Sequence, residues 1–383
     1  MVSALLVLFT FVVSAFALGL PEHEGYTNVT LSSRAGTYSN PLNQQKGADP
    51  CMRYINGKYF LTSTQGTNIA IKTSATVEGL KSAPLQVLFT DSTAGRNFNF
   101  WSVSGLLLGR TELHYCFKGL PNSGQYFESS FDDLYRNYHS MIRFLNGNWY
   151  IYYAVAGNRD DNTHRLHVLR GGTNPNDPTV GTYTYVNSLI PANFDKWAVD
   201  GSILQLNNQL YFVFSGLKTN SPWTQCTYIV KMSNPTTLSG NAVEISCPTF
   251  SWETAATPVQ EGPEVITVNG VTHIVYSASH CSTDDYALGL LTLSSGADPM
   301  VASSWTKGSS PVFTKNTSAG VYGPGHHFMF QKGDSWYFAY HGKSAPGQGC
   351  GDVRTTRVQP FSISGSNPVF PAAVATGVAI AEP

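Results

Sequence analysis

Three acidic residues and a histidine stand at matching distances ahead of turn-forming residues in this chain. Asp49 lies eight residues before Gly57, Asp200 eight before Asn208, Glu261 nine before Gly270 and His326 seven before Gly333. If the strands that lead into those turns converge on one axis, three carboxylates and an imidazole meet in one cavity. Carboxylates crowded into a partly dry space repel one another and lose hydration, so such grouping is tolerated mainly where chemistry uses it. Two chemistries suit it. A cation site would use the acids as oxygen ligands. Hydrolysis of a glycosidic bond would use one protonated carboxyl as donor to the leaving oxygen and one ionised carboxylate to activate water. A third acid would then orient the donor and raise its pKa by repulsion.

The elements that must position these groups repeat. Five segments, opening on Gly57, Gly147, Asn208, Gly270 and Gly333, each continue as a strand rich in aromatic and aliphatic side chains. An apolar strand precedes each turn, so each unit reads as a hairpin, and Asn-Gly or similar pairs favour the type I′ turn. The turn positions lie 90, 61, 62 and 63 residues apart. A period near that size holds about four short strands with their loops, the layout of a propeller blade. The expected fold is all-β: residues 18–383 form a single five-bladed β-propeller. A sandwich or a solenoid would not space its hairpins so regularly. The first interval is about 28 residues longer than the others, and the surplus falls between Trp101 and Met141, in a stretch without strand pattern.

Bulk properties set the surroundings. The 383 residues carry 23 Lys and Arg against 24 Asp and Glu, with no basic run, which excludes nucleic acid and anionic membrane surfaces as expected partners. Only 12% of residues are charged and 13% are aromatic, a balance that suits an all-β fold with aromatic surfaces for stacking on sugar rings. Residues 1–17 read as a signal peptide: an apolar run from Leu5 to Phe16 ends in Ala15-Phe16-Ala17, and Pro21-Glu22 follow. Secretion makes Asn28 and Asn316, each heading an Asn-x-Ser/Thr triplet, candidate glycosylation sites. It also makes disulfides expected among the six cysteines, with Cys226 and Cys247, which flank a hairpin, the favoured pair.

At the acidic residues the chain resembles glycoside hydrolase family 43, and the match runs through almost all of it after the leader. Gly47-Ala48-Asp49-Pro50 resembles that family's general-base motif, and Lys196-Trp197-Ala198-Val199-Asp200-Gly201 the segment of its orienting, pKa-tuning Asp. Gln260-Glu261-Gly262-Pro263 resembles its general-acid motif, and Tyr322-Gly323-Pro324-Gly325-His326 its late histidine motif. The resemblance implies an inverting mechanism in which Asp49 deprotonates water, Glu261 protonates the glycosidic oxygen and Asp200 tunes Glu261. Glu264 is a rival acid, and an odd offset along an extended strand turns it away from the side that Glu261 faces. The resemblance also implies substrate contacts from Trp101, His326 and one of Arg354 and Arg357. No cofactor is required; His326 either contacts a structural calcium on the axis or only hydrogen-bonds the nearby acids.

Where the family carries Trp-Ala-Pro-Glu, then an apolar residue and His, running directly into the second blade, Trp101-Ser102 is followed by Val103 to Arg110, the motif resumes at Thr111-Glu112-Leu113-His114, and a second unrelated stretch, Tyr115 to Ser140, precedes Met141. Excising residues 103–140 restores the spacing, so this stretch, Cys116 included, is expected to be translated intron sequence rather than a rim loop. The segments Thr283–Leu291, Ser304–Lys307 and Tyr322–His326 resemble the α-L-arabinofuranosidase branch of the family. The expectation is therefore a secreted, monomeric, exo-acting α-L-arabinofuranosidase on the arabinan or arabinoxylan of plant cell walls. A β-xylosidase or endo-arabinanase with the same acids, or a catalytically silent sugar-binding propeller, is the alternative. Retention of all three acids argues against the last, since a lectin has no use for a raised-pKa donor.

Overall fold

A strand packed between two neighbouring sheets buries both faces and reads as an unbroken apolar run. Asn148–Ala156 is such a strand. Its Trp149, Ile151, Tyr153 and Val155 enter one apolar cluster, while Tyr150, Tyr152 and Ala154 enter another. Outer strands such as Leu85–Phe89 and Thr184–Ser188 have no second neighbour and are exposed or half-buried. The structure, a computed structural model, describes residues 36–104 and 143–383. The expected leader, Asn28, Glu112, Cys116 and most of 103–140 lie outside the described residues.

The described strands form five antiparallel sheets of propeller-blade type and one two-stranded ribbon. The first blade runs through Cys51–Ile55, Lys58–Thr62, Ile69–Ser74 and Leu85–Phe89. In the second, Phe98–Ser104 and Arg143–Leu145 share the innermost place, followed outward by Asn148–Ala156, Arg165–Arg170 and Thr184–Ser188. The third, fourth and fifth open with Ala198–Leu206, Gln260–Val268 and Tyr322–Lys332 as inner strands, and each adds three more in chain order. Five apolar clusters sit between successive blades, and the last, with Met52, Tyr59, Phe330 and Val358, joins the fifth blade back to the first. The fold is a closed five-bladed β-propeller, as the repeat spacing predicts. Burying one such aliphatic or aromatic side chain contributes roughly 1.5–3 kcal/mol, so these inter-blade layers outweigh any single strand's propensity.

Closure has a second component. Thr37–Ser39 pairs with Ala379–Ala381, and the segment that follows runs along the fifth blade: Leu42 N–H donates to Thr356 O (2.8 Å) and Gly47 N–H to Arg354 O (3.0 Å). That contact delivers Asp49 to the axis. The Cys226–Cys247 disulfide forms as expected, and a second joins Cys281 to Cys350. The Asn316 side-chain amide is already engaged, donating to Ala373 O at 2.9 Å. Among the described residues no helix is long and apolar enough to cross a membrane.

The hairpins follow turn chemistry. Asn56-Gly57, Asn146-Gly147, Asn207-Asn208 and Asn269-Gly270 all have positive φ at both positions, as type I′ turns require. Seven residues ahead of the turns stand four more left-handed residues: Asp49 before Asn56, Asp200 before Asn207, Gly262 before Asn269 and His326 before Gly333, with φ of +55°, +56°, +54° and +48°. In the third, fourth and fifth blades this residue sits in a bulge, where the inner strand has one residue more than its partner. The repeat-equivalent position is thus this left-handed residue. Asp49, Asp200 and His326 occupy it, whereas Glu261 comes one residue before it.

In the second blade, two residues of the stretch read as an insertion are paired in the sheet. Val103 and Ser104 still belong to the ladder, opposite Tyr153 and Tyr152, and Arg143 lies opposite Tyr150. One ladder position, opposite Ile151, separates Ser104 from Arg143, so both pieces behave as one strand on one partner. Deleting residues 105–141, which leaves a single residue for that position, is expected to yield a folded protein whose melting temperature equals or exceeds the parent's. Insoluble protein or a clearly lower melting temperature in a thermal scan would refute this.

Candidate active site

The left-handed residues decide where the chemistry points. Non-glycine residues pay on the order of 1–3 kcal/mol for an unusual backbone conformation, and such strain gathers at functional sites. Here it turns Asp49, Asp200 and His326 toward one pocket of about 650 Å³, whose wall also includes Glu261, Trp101 and Arg354. Gly262 is required beside them. Besides its positive φ, a Cβ there would lie 3.3 Å from the His326 ring.

His326 lies between two carboxylates, with Nδ1 3.3 Å from Asp49 Oδ1 and Nε2 3.6 Å from Asp200 Oδ1. Its own N–H donates to Ser277 Oγ at 2.8 Å. Burial disfavours the imidazolium, yet Asp49, Asp200 and Glu261 together raise its pKa above the ordinary value. Burial also acts against the Asp49 carboxylate, but the Arg354 guanidinium and His326 outweigh it and hold the carboxyl well below its usual range. Arg354 Nη1 donates to Asp49 Oδ1 at 3.1 Å, and Thr64 Oγ1 donates to Oδ2 at 2.8 Å. The backbone N–H of Asp49 donates to His341 Nδ1 at 3.2 Å, and burial pushes that imidazole down to about 3, so it accepts as a neutral ring.

Asp200 is the opposite case. Burial pushes its carboxyl up to about 7, with His326 pulling against the shift and Glu261 and Asp49 adding to it. Its Oδ2 accepts the Gly262 N–H at 2.9 Å, so it grips the backbone immediately after Glu261. Glu261 is held by neutral donors: Tyr286 OH to Oε1 at 2.8 Å and Gln225 Nε2 to Oε2 at 3.1 Å. Gln225 is itself anchored by donating to Ser215 Oγ at 2.8 Å.

Glu264 is buried in the sheet and absent from the pocket wall. The reason is not strand alternation, because the bulge absorbs one residue: Glu261 faces Ser277 and Glu264 faces Val275. The left-handed turn at Gly262 separates them instead. Trp101 stays at the wall, its ring stacked on His164 at 3.8 Å between centroids. Arg354 reaches the pocket, but Arg357 does not. It is fully buried behind the wall, within the strand Thr355–Ser364, where Nη2 donates to Ser344 Oγ and Thr376 Oγ1, whereas Arg354 lies just before that strand. The expected substrate contact from Arg357 is therefore withdrawn.

Calcium takes six to eight oxygen ligands. Both ring nitrogens of His326 face carboxylates, and the described residues whose spacing could gather a metal do not include His326, Asp49 or Asp200. The arrangement sets one imidazole between two acids, its ring nitrogens turned to their carboxyl oxygens. Sequence reasoning had no signal for Gln225 or His341. Tyr286 lay within a segment already noted for its family resemblance.

A family profile described as glycosyl hydrolases family 43 matches residues 125–367. An extracellular exo-α-(1→5)-L-arabinofuranosidase of Streptomyces avermitilis is 31% identical, the alignment covering 97% of this chain and 70% of that one. The chain belongs to glycosyl hydrolase family 43. It is accordingly a hydrolase of glycosidic bonds. An enzyme of the same description from Streptomyces chartreusis is 27% identical over 81% of this chain and 84% of its own. The crystal structure of an α-L-arabinofuranosidase from Lactobacillus brevis superposes with a TM-score of 0.72 at 24% identity, covering 89% of this chain and 98% of that one, which bears on the fold alone.

The raised Asp200 carboxyl has a consequence for stability. A carboxyl that titrates near 4 unfolded and about 7 folded stabilises the fold fully below about pH 4 and loses that contribution as pH rises through about 7. Asp200→Asn cannot ionise. It is expected to melt a few degrees above the parent at about pH 8 and close to it at about pH 4, measured by thermal scans at both pH values. An equal drop at both would contradict this account.

Proposed function

We propose that this protein is a secreted, inverting α-L-arabinofuranosidase that releases terminal arabinofuranosyl residues from arabinan or arabinoxylan. The observation that carries the assignment of roles is the asymmetry across the pocket. Asp49 is paired with a guanidinium and an imidazole, which keeps it ionised and fit to take a proton from water. Glu261 has no such pairing at hydrogen-bond distance among its described contacts and is aimed into the pocket by Tyr286 and Gln225, in the place from which it would protonate the leaving oxygen. Asp200, holding Gly262 N–H, fixes the backbone that aims Glu261. Inversion needs a water between base and sugar, hence carboxyls about 6.5–9.5 Å apart.

Two disulfides and the apolar leader support an oxidising, extracellular destination, in keeping with relatives named extracellular. The exo mode and the arabinose specificity rest on those same relatives rather than on any feature of one residue. Trp101, Trp197 and Trp223 at its wall offer apolar faces for sugar rings.

The roles can be separated by leaving group. A nitrophenolate departs without protonation, so Glu261→Gln is expected to lose about a hundred- to ten-thousandfold in rate on an arabino-oligosaccharide but much less on nitrophenyl α-L-arabinofuranoside. Asp49→Asn is expected to lose comparably on both. NMR of the first turnovers should find arabinose of inverted, β configuration. Release of xylose from nitrophenyl β-xyloside, or of oligosaccharides from linear arabinan, would instead favour the xylosidase or endo-arabinanase reading. Inactivity on all of them would favour a binding module.

A further inference from the structure

The Cys281–Cys350 disulfide lies at the pocket wall, on the rim between the fourth and fifth blades. On the fourth-blade side, Ser279 and His280 take left-handed conformations (φ +82° and +67°) just before Cys281, and the same segment ends at Tyr286, whose hydroxyl holds Glu261. On the fifth-blade side, Cys350 precedes Gly351, whose carbonyl accepts from Arg354 Nε at 3.2 Å while Arg354 Nη1 holds Asp49. The disulfide therefore joins the segment that carries the acid's partner to the segment that carries the base's partner.

Its surroundings reinforce that link. Lys343, only 1% exposed, donates through Nζ to Thr283 O (2.8 Å) and Cys281 O (3.3 Å) and pairs with Asp284 Oδ1 at 3.4 Å. Asp284 in turn accepts the Gly347 N–H at 2.9 Å. The stretch from Ser344 to Val353 is otherwise largely exposed, and a crosslink at its far end removes most of the freedom such a loop would have. Beneath it, the two blades are held together by a separate apolar cluster that includes Ile266, Val275, Met329 and Phe338.

We propose that Cys281 and Cys350 are positioning residues, their disulfide fixing Arg354 on Asp49 and Tyr286 on Glu261, so that breaking it uncouples acid from base without unfolding the propeller. The proposal rests on the glycosidase reading above. The electrostatics give it a signature that a purely structural bond lacks. Arg354 is the first cation that holds the Asp49 carboxyl down, so a displaced Arg354 raises that carboxyl, and the acidic limb of the pH–rate profile moves to higher pH.

The test uses Cys281→Ser/Cys350→Ser in the full chain, with nitrophenyl α-L-arabinofuranoside as substrate and chelator present. Free thiols beside His280 would place three metal-ligating atoms within 4.8 Å of one another, which makes serine preferable to reduction alone. The expected result is a protein folded by circular dichroism, with kcat lowered about ten- to a hundredfold, KM changed less, and the acidic limb shifted upward. Mild reduction of the unmodified protein, reaching the exposed Cys350 first, should reproduce the loss, and reoxidation should restore it. A folded double variant with an unaltered profile overturns the proposal. So does a loss of activity that only tracks the unfolded fraction. If the unmodified protein hydrolyses none of the test glycosides, the glycosidase reading fails instead.

Discussion

Acids crowded into one pocket need either a proton or a neighbouring base to offset their repulsion, and His326 stands where it serves two of them. Its ring reaches Asp49 through Nδ1 and Asp200 through Nε2, so one imidazole divides its compensation between two acids. The division is unequal because Asp49 has a second cation and Asp200 has none among its described partners. Arg354 makes Asp49 the ionised member. Asp200, left with His326 and a backbone N–H, keeps its proton to near neutrality. The unlike roles of chemically similar groups thus follow from where one guanidinium sits.

That arrangement is bought with backbone geometry. A regular inner strand would send consecutive side chains to the two neighbouring blades, as Asn148–Ala156 does, and none down the axis. In the third, fourth and fifth blades a bulge breaks the alternation and redirects one residue inward. In the fourth blade the bulge residue is Gly262, which leaves room for the His326 ring and passes the functional position to Glu261. Glu261 therefore approaches the pocket by a different path from Asp49. Its aim depends on groups around it, namely Asp200 through Gly262, Tyr286 and Gln225.

Much of the architecture was legible because blades repeat and turns have demanding chemistry. Asn-Gly and similar turn pairs, evenly spaced after the first interval, report hairpins directly, and the residues ahead of them report the axis. The register was read one residue off for Glu261, because a bulge changes no composition and leaves no mark in hydrophobic pattern. Arg354 and Arg357 are alike as residues, and only the folded chain reveals that one faces the pocket and the other the interior. Gln225, His341 and the Cys281–Cys350 link stayed hidden for a common reason. Each acts across blades, between residues distant in sequence, where local pattern carries no information.

The second blade shows how an interruption can fall on an inner strand without dissolving the ring. The apolar layers on its two sides draw on Trp149, Ile151, Tyr153, Val155, Leu166, Val168 and Leu169, all from the two strands outside the inner one. The interrupted strand adds the buried Phe100, with Trp101, Phe144 and Leu145 packed at the margins. Both of its pieces keep their register on Asn148–Ala156, so the partner strand acts as the template that aligns them. Asp49, Asp200 and Glu261 stand on other blades. What the second blade gives the pocket is the Trp101 ring, and that ring is held by His164 from the neighbouring loop rather than by continuity of its own strand.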